Sequence, residues 1–128
     1  MLILFYISVG DFIDRYTIAQ IKAERIGHDF LRRDLEERYK PVFNDLIETS
    51  NSSSVMEIHN NLFEINSKLW DVEDKIRSVE KDFELADLSK TIISLNDARA
   101  FYKKKLDEVF GSLADTKRYS GDKRNYSI

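Results

Sequence analysis

The sequence predicts an all-α protein: three principal helices in an antiparallel bundle, with a short N-terminal strand. One proline and four glycines in 128 residues leave few of the turn signals that a sandwich or barrel needs. A charged fraction of 34% suits helices with polar outer faces. Two long stretches then repeat apolar residues at helical spacing. Ile58, Leu62, Ile65, Leu69, Val72, Ile76, Val79 and Phe83 form one seam, and Leu85, Leu88, Ile92, Leu95, Arg99, Tyr102, Leu106 and Val109 form the other.

The elements follow in chain order. Residues 2–7, LILFYI, are branched and aromatic and read as a strand. A lone strand must pair, either with the C-terminal tail or with the same strand of a second copy. Ser8-Val9-Gly10-Asp11 has the S-x-x-D form of a capping box and opens the first helical region, roughly 9 to 48 with breaks. Phe12, Ile13, Tyr16, Ile18, Ile21 and Ala23 wrap around more than one stripe, so this helix is contacted from two sides. Asp14 and Lys22, flanked by apolar neighbours, are expected to point toward other helices. Gly27-His28-Asp29 marks an end or a bend. Leu31, Leu35 and Tyr39 continue as a narrow stripe. Pro41 then requires a kink, or a restart with Pro41 in the first turn of a segment reaching Ile47.

Glu48 to Ser54, ETSNSSS, reads as a mobile surface linker. A second capping box, Ser54-Val55-Met56-Glu57, starts the next helix, 54–81. Its register, continued past Phe83, would select Ala86, Lys90, Ile93 and Asp97, a poor core. The chain is therefore expected to reverse between about Ser78 and Asp87, one continuous helix being the competing reading. The last helix, 84–110, closes at Gly111. Residues 1–111 make the single domain and 112–128 a polar basic tail, in which Tyr119 and Tyr126 stand beside basic residues that could touch phosphate.

Composition excludes several function classes. A net charge of -3 argues against a nucleic-acid binder. Without cysteine there is no disulfide, thiolate zinc site or cysteine nucleophile, and His28 and His59 cannot build a histidine-rich metal site by themselves. No apolar run approaches the roughly 20 residues of a membrane span, and residues 2–7 lack the leader of a signal peptide, so the cytoplasm is the expected compartment. No catalytic motif is present; no catalytic residue, metal or cofactor is expected.

The stretch Leu69–Arg77, LWDVEDKIR, puts Trp70, Glu73, Asp74 and Arg77 on one helical face. Arg99 occupies a core position of the last seam, where a lone guanidinium would cost several kcal/mol. Its expected partners are Glu73 and Asp74 on the facing helix, with Asp14 close by from the first. Such a cluster is either a structural network or an anion or sugar-phosphate pocket, with Lys22, Arg77 and Arg99 on the phosphate and Trp70 against a ring. A third reading, a Mg-dependent nucleotide pyrophosphatase, takes Asp14, Glu73, Asp74 and Asp97 as metal ligands, although Asp71-Val72-Glu73-Asp74 does not reproduce the paired E-x-x-E and E-x-x-D of such enzymes.

The segments SVGDFID, IKAERI, LWDVEDKIR and SLNDARAFYKKKL together resemble a family of short helical proteins from bacteria and their viruses, over most of the chain. Its pattern is V-S-x-G-E/D-x-I-D-K, then L-W-x-I-E-D-x-I-R, then N-D-x-R-A followed by lysines. Ser8, Gly10, Asp14, Lys22, Trp70, Glu73, Asp74, Arg77, Asn96, Asp97 and Arg99 stand at those places. Arg15 replaces a lysine, and Pro41 and the longer basic ending depart from the pattern. The resemblance implies a strand followed by helices, adds Asn96 and Asp97 to the candidate ligand-binding set, and brings no established reaction. If the source is viral, the host cytoplasm is the compartment. The functional expectation is a non-enzymatic binding or assembly protein, a homo-oligomer or bound to a protein partner; the alternative binds a phosphate-bearing small molecule.

Overall fold

The computed structural model describes residues 1–50 and 53–111; the tail, 112–128, lies outside the described residues. The chain forms α1 (Val9–Ile26), α2 (Asp29–Asp34), a π-helical turn (Leu35–Tyr39), α3 (Lys40–Ser50), α4 (Ser53–Ile76) and α5 (Asp82–Val109). The all-α class is as predicted. Because α2, the π-helical turn and α3 join end to end, the described residues make four helical runs where three were expected.

Local chemistry sets the ends of these helices. Ser8 Oγ accepts the Asp11 N–H at 3.1 Å and caps α1, and Gly27, at φ 70°, ends it in the left-handed region with its N–H on the Ala23 carbonyl. His28 then caps α2, its Nδ1 accepting the Phe30 N–H. Pro41 neither stops the chain nor begins a new helix. In the turn before it Lys40 N–H donates to Leu35 O, five residues back, and this wider turn carries the helix past a ring and a missing N–H that a regular ladder would not accommodate. The predicted linker shrinks as well: α3 runs to Ser50, whose Oγ donates to Ile47 O at 3.0 Å, and α4 begins at Ser53, leaving residues 51 and 52 outside the described ones. The reversal after α4 occurs over residues 77–81. Ser78 and Val79 N–H groups close on the Lys75 and Ile76 carbonyls, which overturns the single long helix.

The packing differs from a simple antiparallel trio. Gly10 meets Asp107, Asp11 meets Lys103 and Asp14 meets Arg99, so α1 and α5 run antiparallel. Asp14 and Thr17 meet Asn66, and Arg25 meets Asp71, so α1 and α4 run parallel. The α2–α3 run makes this possible by returning the chain between them. Tyr16, on α1, stacks on Tyr39 and packs 4.7 Å from Phe43, centroid to centroid. Ile13, Tyr16, Phe43, Val55, Leu62 and Leu106 form the buried centre.

Two sequence expectations change here. The buried line of α4 is Val55, His59, Leu62, Asn66 and Leu69, rotated from the predicted seam because α4 faces α1 as well as α5. Residues 2–7 have no strand partner among the described residues. No other described segment is extended enough to offer them an edge, so the predicted strand is not formed among the described residues, and the expected pairing with the C-terminal tail lies outside them.

Gly10 marks a close approach of α1 to α5. A Cβ there would lie 2.3 Å from the Lys103 carbonyl oxygen, while the Gly10 N–H donates to Asp107 Oδ1 at 2.7 Å. Gly10→Ala is expected to push α1 and α5 apart and cost about 1–3 kcal/mol, read as a lower urea midpoint with an unchanged slope.

Candidate functional site

The polar centre of the fold lies where α1, α4 and α5 converge. Asp14 is only 3% exposed, because the residues one turn either side of it on α1 are packed against two helices. Arg99 reaches it from α5 with both prongs: Nε donates to Oδ1 at 2.8 Å and Nη2 to Oδ2 at 2.6 Å. Asn66 on α4 supplies one N–H to Asp14 Oδ1 at 3.0 Å and the other to Thr17 Oγ1 at 2.8 Å. The Thr17 hydroxyl donates back to the Asp14 carbonyl at 2.7 Å. Burial alone would raise the Asp14 pKa, but the Arg99 and Asn66 hydrogen bonds and the charges of Arg99 and Lys103 outweigh it and hold the carboxyl below its ordinary value. The Asp14 hydrogen bond in turn raises Arg99 against the opposing effect of burial.

Beside this network opens a recess of about 240 Å³ lined by Ile18, Ile21, Lys22, Asn66, Leu69, Trp70, Glu73, Asn96 and Arg99. Five of the nine sequence-selected residues therefore line one space: Lys22, Trp70, Glu73, Asn96 and Arg99. Asp14 lies behind them, holding Arg99. The expected pairing of Arg99 with Glu73 and Asp74 gives way to Asp14. Asp74 and Arg77 pair with each other at 2.5 Å at the exposed end of α4, and Asp97 is exposed on α5. The reason is register: Arg99 faces α1, whereas Asp74 is exposed near the end of α4 and outside the recess. Arg77 is thus withdrawn from the phosphate role expected of it. The four carboxylates named as metal ligands do not gather, and no group of three or more His, Asp or Glu side chains among the described residues could hold a metal ion.

Sequence reasoning missed Asn66, Thr17 and His59. Asn66 follows Leu62 by four and precedes Leu69 by three, so apolar spacing alone could have flagged it as an inward polar residue. His59 is buried against Tyr16 and Phe43, with Nε2 2.8 Å from Gln20 Oε1 and Nδ1 3.0 Å from Asn60 Oδ1. Burial pushes its pKa down, against a smaller upward pull from Asn60. Comparison with protein-family models, with curated proteins and with solved structures gives no match for this chain.

Two outcomes follow for stability. Arg99→Met alone strands the Asp14 carboxylate and is expected to cost about 3 kcal/mol or more, whereas replacing Asp14 and Arg99 together by apolar residues of similar volume recovers most of that loss in denaturant titrations. Acid acts in two windows. His59 has a folded pKa below its ordinary 6.5, so its contribution is complete above that value and declines as pH falls through it. Asp14 has a folded pKa below 3.8, so its contribution persists to lower pH and is lost as pH falls from that value through the folded pKa. Melting temperature followed against pH should fall in both windows, and His59→Gln should flatten the upper one alone.

Proposed function

We propose that the protein is a non-enzymatic binding or assembly protein that associates with a second copy of itself through its N-terminal segment. The observation that carries this reading is the exposure of residues 1–6, all apolar or aromatic, from 67% at Phe5 to 115% at Met1. Six such residues in a row present an apolar surface, and their backbone groups have no strand partner among the described residues, the combination that favours strand pairing between chains. An identical segment on a second copy supplies the missing edge, and antiparallel pairing of two copies closes the contact by a twofold axis. The exposed Phe83, Ile93 and Phe101 on α5 add apolar surface that such an assembly can cover.

Kinship with the short helical proteins of bacteria and their viruses belongs to the same proposal. Its support is that the motif residues have distinct structural uses: Ser8 caps α1, Gly10 permits the α1–α5 approach, and Asp14 and Arg99 form the buried pair. A cytoplasmic setting is likewise proposed; among the described residues no helix is long and apolar enough to cross a membrane.

Size-exclusion chromatography with light scattering tests the assembly. The wild-type chain is expected at twice the monomer mass or higher. Leu4→Pro, which removes a backbone donor from the segment without touching a helix, should return it to the monomer with an unchanged helical circular-dichroism spectrum. A wild-type chain that stays monomeric at high concentration would overturn the reading.

A further inference from the structure

The recess between α1, α4 and α5 gathers in one space charged and polar side chains that the fold does not use. Some charges on the same helices are paired: Asp11 with Lys103, Arg25 with Asp71, Glu64 with Lys68 and Asp74 with Arg77. Others, such as Lys90 and Asp97, stand alone on the open surface among the described residues; the recess differs in bringing its unpaired groups together. Lys22 and Glu73 line one small space with opposite charges, yet neither closes an ion pair with the other or with any described residue. Asn96 likewise makes no side-chain hydrogen bond within the described residues, and Arg99, 31% exposed at its side chain, keeps Nη1 uncommitted while Nε and Nη2 are fixed on Asp14.

We infer that this recess binds a single monosaccharide carrying a phosphate, and that it favours an amino sugar phosphate over a neutral one. Lys22 and the outer edge of Arg99 receive the phosphate, a guanidinium held rigid by Asp14 being already ordered for an oxyanion. Glu73 and Asn96 line the same recess, a carboxylate that accepts from ring hydroxyls and a carboxamide that can accept or donate. Trp70 forms an aromatic wall for the ring, and Arg25, 5.9 Å from the indole centroid and bound to Asp71, keeps it in place.

Charge and volume narrow the class. Asp14 neutralises Arg99, and Lys22 and Glu73 balance each other, so the recess favours a ligand with a negative end and a positive one. An ammonium on the sugar matches Glu73, where a neutral hexose offers only hydroxyls. At about 240 Å³ the space falls below the roughly 300 Å³ at which drug-sized pockets begin, enough for one ring and its phosphate but not for a base, ribose and phosphate chain together. This inference stands apart from self-association: the N-terminal segment contributes no residue to the recess.

Trp70 is the only tryptophan of the chain and lines the recess, so its emission, excited selectively over the tyrosines, is a probe of that wall. Titration of the full chain with glucosamine 6-phosphate is expected to change Trp70 emission saturably, more tightly than glucose 6-phosphate, and inorganic phosphate or free glucosamine should produce no saturable change over the same range. Lys22→Met should weaken glucosamine 6-phosphate about tenfold or more through loss of a charge-assisted contact. Glu73→Gln should abolish the preference for the amino sugar while retaining binding of both phosphates. Lys22 and Glu73 are exposed and outside the buried pair, so both variants should melt as wild type does; Lys22→Gln replaces the Met variant if that one is destabilised. No saturable change with either sugar phosphate, an equal response to inorganic phosphate, or binding untouched by the Lys22 changes would each overturn the inference.

Discussion

Three helices of this protein are tied to one carboxylate. Asp14 is charged, nearly free of solvent, and compensated on every side by groups from different helices: two nitrogens of Arg99 from α5 and the amide of Asn66 from α4. A buried carboxylate without partners costs several kcal/mol, so arrangements that separate α1 from α5 are penalised far beyond the loss of packing. The pair also sets register. Gly10 with Asp107, Asp11 with Lys103 and Asp14 with Arg99 succeed one another about one turn apart along α5, so a slip of either helix would break all three contacts together.

The same pair shapes the recess. Because Arg99 turns toward α1 and pairs with Asp14, it closes no ion pair with Glu73, whose carboxylate lines the recess with Trp70 and Lys22. Scaffold and candidate site are therefore parts of one network, with a division of labour by burial. Asp14, Thr17 and Asn66 are buried and spend their hydrogen bonds on one another; Lys22, Glu73 and Asn96 are exposed and do not. Preorganisation follows from that division, since the ordered inner layer holds the Arg99 edge in place before any ligand arrives.

Stability is distributed unevenly along the long hairpin of α4 and α5. The buried apolar residues of α5 reduce to Leu106, close to the Gly10 contact, whereas Phe83 and Leu85 near the reversal, and Ile93 three turns into the helix, remain exposed. The aromatic cluster of Phe12, Tyr16, Tyr39 and Phe43 stands on the opposite flank of α1, anchored by the π-helical turn that brings Tyr39 over Phe12 and Tyr16. Local opening is accordingly expected first near the reversal, where few apolar contacts resist it.

Sequence alone determined the helical class, the α1 cap at Ser8, the break at Gly27, the phase change that reverses the chain after α4, and the inward position of Arg99. Each depends on spacing or on one residue's backbone preference, which act over a few turns and can be read locally. Tertiary structure decided the rest. The direction of α1 relative to α4 depends on the path of the α2–α3 run, and that path depends on a π-helical turn whose need for an extra residue has no local signature beyond Pro41. The partners of Asn66 and His59 were hidden, because which group meets an inward polar residue, here Asp14 or Gln20, depends on what arrives from another helix. The choice of Asp14 over Glu73 and Asp74 as the partner of Arg99 was likewise undecidable from spacing, since all three carboxylates were within helical reach. Three-dimensional register selects between them, and it brought the buried one to the guanidinium.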